Sequence, residues 1–154
     1  MDTVIADEIG SIFSRSLIDV VLKISGFSLD VQSTEHDSDF DDNTAVMCLN
    51  SNKGGLLFLS AGEDSMKALS SFSEGILEYD LTHEDIEDML CELVNMTAGS
   101  AKLLLTGMEH MFSLTPPFII NGTDMSIATK KRVNVISRTV GNEAIQVKLK
   151  VIFY

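Results

Sequence analysis

Residues 82–108, THEDIEDMLCELVNMTAGSAKLLLTGM, form a long amphipathic segment around which the rest of the chain can be organised. Thr82 followed by Asp85 resembles a helix capping box, with Asp in place of the usual Glu or Gln. The apolar residues recur with the spacing of one helix face, and they are Ile86, Met89, Leu90, Leu93, Val94, Thr97, Ala101, Leu104, Leu105 and Met108. The segment therefore predicts a long helix with one face buried against a core.

The opposite face of this helix displays polar residues that fall within roughly 60–80° of each other on the helical wheel, namely Asp88, Glu92, Asn95, Gly99 and Lys102. Asn is unfavourable within a helix because its side chain competes for backbone hydrogen bonds. Gly99 costs about 1 kcal/mol relative to Ala, and its missing side chain would let a partner approach closely. Contact with a partner is one interpretation of this face; an ordinary solvated acidic face, which composition alone favours, is the other.

Length and composition predict one globular domain over residues 1–154, since 45% of the 154 residues are hydrophobic. The net charge of −12 argues against binding to nucleic acids or anionic membranes, which it would repel. The beginning of the chain lacks the basic region of a signal peptide, and no apolar run approaches 18 residues. We therefore expect a cytoplasmic protein.

Metal and disulfide chemistry are not indicated. Cys48 and Cys91 lie in apolar runs and are predicted to be core thiols. The histidines, His36, His83 and His110, lack metal-ligand spacing. The acidic segment 32–43 lacks the glycine and terminal glutamate of an EF-hand loop, so a solvated loop is the expectation.

The remaining segments predict an α+β fold. Hairpin-linked strands imply a mainly antiparallel sheet of about six strands, with two long helices on one face. Two similar halves are expected, without a repeat at the level of residues. The predicted elements in chain order are a helix over 3–24, a strand around 27–31, strands over 44–50 and 55–60, a short helix over 63–72, the helix above, extended chain at 113–117, a turn at 121–124, one long or bent strand over 125–139, and a strand over 144–153.

Three sequence features together carry a resemblance to a known family. Residues 92–99 read ELVNMTAG, Thr115-Pro116-Pro117 follows, and then Asn121-Gly122-Thr123-Asp124. This combination resembles the CheX family within the CheC/CheX/FliY group of chemotaxis phosphatases. That group carries an acidic or Ser residue, then Glu, then Asn, and a Pro a little over twenty residues later. Asp88, Glu92, Asn95 and Pro117 match this pattern.

The resemblance implies a fold with pseudo-two-fold symmetry. It also implies dephosphorylation of a phosphorylated CheY-like response regulator. Carried over, Asn95 would orient the attacking water and Glu92 would contact the regulator's lysine. Asp88, Gly99, Lys102 and Pro117 would border the docked regulator. The Mg²⁺ ion would belong to the regulator, so this chain would need no cofactor of its own. The first helix lacks a Glu-x-x-Asn, which indicates one site per chain.

Two further expectations concern partners. A non-catalytic module that docks on a response regulator or a flagellar switch component is the alternative to the enzyme. We also expect a homodimer formed partly through sheet edges, with the strand at 144–153 as a candidate edge.

Overall fold

The computed structural model describes residues 3–34, 40–75, 77, 80–129 and 133–153. The helices are α1 (Thr3–Ser25), α2 (Glu63–Glu74) and α3 (His83–Leu104). The strands are β1 (Asp30–Ser33), β2 (Asn43–Asn50), β3 (Gly55–Ala61), β4 (Ser113–Leu114), β5 (Phe118–Asn121), β6 (Asn134–Gly141) and β7 (Gln146–Phe153). The predicted α+β class is confirmed.

The seven strands form one antiparallel sheet in the order β1-β6-β7-β3-β2-β4, and β5 also pairs with β2. With β5 written at the end beside β2, the order is β1-β6-β7-β3-β2-β5. Exchanging β1 with β5, β2 with β6 and β3 with β7 gives this same order read from the other end. The predicted pseudo-two-fold arrangement is therefore present in the strand order. β1 of the N-terminal half pairs with β6 of the C-terminal half, and β5 of the C-terminal half pairs with β2 of the N-terminal half.

The helices pack on one face of this sheet and enclose the main core. α1 lies against β6, α3 lies against β2 and β3, and α2 contacts both long helices. The inward-facing residues of strands and helices are completely buried, for example Phe13, Leu17, Met47, Leu59, Leu93 and Leu149. A smaller apolar cluster around Val46, Phe58 and Ile152 covers part of the opposite face.

Two predicted element boundaries are wrong. α3 ends at Leu104 and not at Met108, because Gly107 adopts a left-handed backbone with φ 84°. The strand predicted over 125–139 begins only at Asn134; residues 125–129 have no regular structure, and 130–132 lie outside the described residues. The short strand β5 was not predicted.

The expected sheet edge at the C-terminus is also wrong. β7 lies in the middle of the sheet, between β6 and β3, so its backbone is paired on both sides. The strands at the two ends are β1 and the β4–β5 edge beside β2. A homodimer stays a prediction, and these edges are where a strand could be added.

Cys48 is exposed and Cys91 is half-buried, and both are free thiols. The core position predicted for Cys48 is wrong, because it projects from β2 on the side opposite to Met47 and Leu49, which are both buried. Periodicity does not reveal this, since the strand is apolar on both faces.

The acidic segment 32–43 is anchored at its end. Residues 35–39, with Glu35, Asp37 and Asp39, lie outside the described residues. The Asp41 carboxylate lies 3.3 Å from the Lys148 ammonium, and the Asp41 N–H donates to the Ser60 hydroxyl over 2.7 Å. Across the described ranges, no helix has the length and apolarity needed to cross a membrane.

Candidate functional site: a groove between α3 and a proline segment

A groove of about 610 Å³ runs beside α3. Asp88, Cys91, Glu92 and Asn95 line it from the helix, and residues 114–117 form the facing wall. Pro117, which is distant in sequence, therefore lies at the same surface as Asp88, Glu92 and Asn95 of the helix. Glu92 and Asn95 are both exposed, so both are accessible to a partner.

The orientation of α3 is set by its cap and its apolar face. The Asp85 N–H donates to the Thr82 hydroxyl over 3.2 Å, and the Thr82 N–H donates to the Asp85 carboxylate over 2.7 Å, which confirms the capping box. These hydrogen bonds lower the pKa of Asp85. Leu90 and Leu93, both fully buried, turn the Glu92–Asn95 face outward.

The facing wall is held to the sheet on both sides of its prolines. β4 pairs with Leu49 and Asn50, and β5 pairs with residues 43–46 of the same strand. Pro116 and Pro117 have no N–H to donate, so the ladder along β2 is interrupted between them. The Thr115 hydroxyl instead donates to the Cys48 carbonyl oxygen over 2.9 Å, which ties the wall to β2.

Glu87 joins α3 to the far end of this wall. The Asn121 side-chain amide donates to a Glu87 carboxylate oxygen at 2.5 Å, and the His83 Nε2 lies 3.1 Å from the same oxygen. Asn121 ends β5, so this contact sets the separation of the helix from the strand. This position of Glu87 between helix and strand was not predicted. The i,i+4 spacing of His83 and Glu87 indicates the contact between those two residues. It does not indicate the contact between Glu87 and Asn121.

Cys91, which was predicted to be a core thiol, is half-buried and lines the groove. Burial raises the pKa of its thiol, and the neighbouring carboxylates Asp88 and Glu87 raise it further. The thiol therefore stays protonated at neutral pH and is a poor nucleophile. The polar side chains that line the groove are those of Asp88, Glu92, Asn95 and Thr115.

Two of the predicted partner contacts lie beyond the groove. Gly99 and Lys102 are half-buried on the same helix and do not line the groove. A Cβ atom at Gly99 would have no neighbour within 4 Å, so the helix surface there is open. Within the described residues, no group of three His, Cys, Asp or Glu side chains is placed to hold a metal ion.

Comparison with known proteins identifies the family of the chain. Residues 43–140 match the family model described as chemotaxis phosphatase CheX. The chain is 31% identical to the CheY-P phosphatase CheX of Thermotoga maritima over 75 residues, which are 49% of this chain and 48% of that protein. The match thus spans about half the length of this curated relative.

Two solved structures share the fold at low sequence identity. Chemotaxis protein CheX from Vibrio vulnificus is 19% identical with a TM-score of 0.81, over 96% of this chain and 99% of that one. CheX in the CheX-CheY-BeF3-Mg²⁺ complex from Borrelia burgdorferi is 15% identical with a TM-score of 0.76, over 93% of this chain and 96% of that one. Since the family model covers more than half of the residues, the chain belongs to the chemotaxis phosphatase CheX family.

Proposed function

We propose that this chain is a phosphatase that hydrolyses the aspartyl phosphate of a CheY-like response regulator. The observation that carries the proposal is the groove in which Asp88, Glu92, Asn95 and Pro117 come together. Family membership supports the same reaction, and the Borrelia burgdorferi relative forms a complex with CheY, BeF3 and Mg²⁺. We expect the reaction to take place in the cytoplasm.

Asn95 orients the attacking water in this proposal. Its carboxamide can accept one hydrogen bond from the water and donate another, and it carries no charge that would repel the phosphoryl oxygens. The water oxygen forms a bond to phosphorus while the bond between phosphorus and the aspartate oxygen breaks. Inorganic phosphate leaves, and the regulator's carboxylate is restored.

Glu92 holds the regulator in place through an ion pair with a lysine of its active site. Glu92 lies one turn before Asn95 on the same exposed face, so one docked partner can reach both side chains. Asp88, a further turn back, adds negative charge that steers the approach of a basic surface. The Mg²⁺ needed for phosphoryl chemistry is carried by the regulator in this proposal, and this chain supplies only the amide and the carboxylate.

The test is release of inorganic phosphate from a CheY-like regulator phosphorylated with acetyl phosphate in Mg²⁺, with and without this protein. Faster release that depends on protein concentration is expected. Binding to the beryllofluoride-treated regulator is measured in parallel. Tight binding without faster release would contradict the enzyme and favour the docking module.

A further inference from the structure

The exposed stripe of α3 carries no further acidic residue beyond Asn95, and Lys102 on the same face is only half exposed. Gly99 follows Asn95 one turn later, and one more turn brings Leu103, which is 76% exposed. At about 100° per residue, Leu103 lies roughly 20° from Glu92 on the helical wheel. It is therefore on the same stripe, about 12 Å further along the axis than Asn95.

The chain that follows α3 adds apolar surface at this end. Residues 103–114 contain five of the fourteen exposed large hydrophobic residues found in the described part of the chain, namely Leu103, Leu104, Met108, Met111 and Leu114. Backbone hydrogen bonds from Met108 to Leu105 and from Met111 to Met108 keep the segment compact. Leu114 also lines the groove, so the segment reaches the candidate site at its far end.

The equivalent end of α1 provides an internal comparison. Six of the eight buried positions of α1 coincide with buried positions of α3 after a constant shift of 80 positions, for example Ile9 with Met89 and Phe13 with Leu93. The last turn of α1 has a single exposed large hydrophobic residue, Leu22. Isolated residues of this kind are ordinary on protein surfaces, whereas a cluster is typical of an interaction site. Among the described residues that directly follow α1, no comparable run of exposed large hydrophobic residues is found.

We propose that the exposed apolar residues of segment 103–114 form the second part of the regulator-docking surface and contact an apolar patch beside the phosphorylated aspartate. This inference rests on the proposed function. A typical interface covers about 800 Å² per partner, which is roughly 30 Å across. A regulator seated over Asn95 would thus also cover Leu103. The open surface at Gly99, between the acidic and apolar parts, allows one continuous partner.

The experiment compares Leu103→Ser with the matched variant Leu22→Ser. Both remove an exposed leucine from the last turns of a long helix, so they carry the same cost in helix propensity. Hydrolysis of the acetyl phosphate-treated regulator is measured at protein concentrations at which all forms sediment as the same species. Leu103→Ser should raise KM about tenfold with kcat nearly unchanged, because it removes uniform binding. Leu22→Ser should change neither constant.

Equal KM values for the two variants would overturn the inference. So would a Leu103→Ser variant that changes self-association alone, since a second copy would then be the occupant. If the unaltered protein hydrolyses no phosphate, the proposed function fails. Binding of the two variants to the beryllofluoride-treated regulator would then show whether Leu103 contacts the regulator, independently of hydrolysis.

Discussion

The two halves of the molecule each form a groove beside a long helix, but the chemistry of the two grooves differs. The α3 groove presents Glu92 and Asn95 to solvent. A groove of about 360 Å³ beside α1 is lined mainly by arginines, hydroxyls and an aspartate, including Asp7, Ser11, Arg15, Thr34 and Arg138. With the shift of 80 positions, Ile12 stands where α3 has Glu92, and Arg15 stands where α3 has Asn95.

The α1 groove is occupied by an internal ion pair. The Arg138 guanidinium lies 3.2 Å from the Asp7 carboxylate and donates to the Ser137 carbonyl oxygen over 2.9 Å. Its side chain is only 9% exposed. A Cβ atom at Gly10 would lie 2.8 Å from this guanidinium, so the helix makes room for it. The α1 groove is thus filled by a pair of charged side chains that hold each other, whereas the α3 groove leaves Glu92 and Asn95 exposed.

Of the substitutions in the two grooves, Asn95→Ala should have the largest effect on phosphate release. The proposed loss of water orientation should lower kcat and kcat/KM together, on the order of 100-fold, because the interaction is made mainly in the transition state. Affinity for the beryllofluoride-treated regulator should stay within about twofold. Arg15→Ala, at the equivalent position of α1, should leave phosphate release unchanged. Near-normal turnover by Asn95→Ala would remove Asn95 from the catalytic role.

Glu92→Ala should have the next largest effect and should act on binding as well as turnover. Its proposed partner, a lysine, is present before the reaction starts, so Kd should rise about tenfold. Glu92→Lys should be worse through like-charge repulsion. Titration calorimetry measures the change, with Glu143→Ala, an exposed carboxylate in the β6–β7 turn, as the control. An unchanged Kd for Glu92→Ala would contradict the ion pair.

Asn121→Ala tests whether the contact between Glu87 and Asn121 fixes the width of the α3 groove. KM should rise about threefold, because the proline wall is no longer tied to the helix. Glu87→Gln keeps an acceptor for the Asn121 amide and should behave almost like the unaltered protein. The double variant Glu87→Ala/Asn121→Ala should be no worse than either single variant. Fully additive losses would mean that the two residues act independently.

Gly99→Ala should separate stability from docking. The free energy of unfolding should rise by about 1 kcal/mol, since alanine favours a helix and nothing lies within 4 Å of the new atom. Regulator affinity should fall about twofold if the partner approaches closely there. Gly107→Ala is the contrasting change and should destabilise the protein by about 1 kcal/mol, because its φ is 84°. Urea unfolding with binding assays measures both.

The smallest expected effect concerns the cap of α3. The pKa of Asp85 is lowered in the folded protein by its hydrogen bonds with Thr82, so the charged carboxylate stabilises the fold above the ordinary pKa of 3.8. This stabilisation is lost as the pH falls through the folded-state value. The difference in Tm between the unaltered protein and Asp85→Asn should therefore be present at pH 6 and shrink below pH 4. A difference that is constant with pH would contradict the capping role.

Capping residues and apolar alternation, which depend on neighbouring residues alone, correctly predicted the start of α3 and the strand β7. The capping residues at Thr82 and Asp85 marked the start of α3, and the alternation in 146–153 predicted β7. The end of α3 was missed because Leu105 and Met108 continue the helical spacing. A left-handed glycine, and not the loss of periodicity, ends the helix.

Tertiary placement was less predictable from residue spacing. No periodicity brings residues 114–117 beside Asp88 and Asn95; only the family resemblance assigned Pro117 to the site. Cys91 is on the wheel between the buried and exposed faces, so its place in the groove depends on where the wall lies. The central position of β7 likewise follows from pairing with β3 and β6, which a strand's own sequence does not encode.

The pairing of β1 and β5 with strands of the opposite half has a consequence for folding. Within the described part of the chain, β1 pairs with β6 alone, so Val31 meets Val140, and β5 pairs with β2 alone. Either half alone would keep one two-stranded hairpin, with β1 unpaired in the first half and β4 and β5 unpaired in the second, which is at best marginally stable in water. Separate fragments of the chain should therefore stay unfolded until they are mixed. Such distant pairings must also close large loops, so the intact chain should fold slowly for its size and only after the last strand has been synthesised.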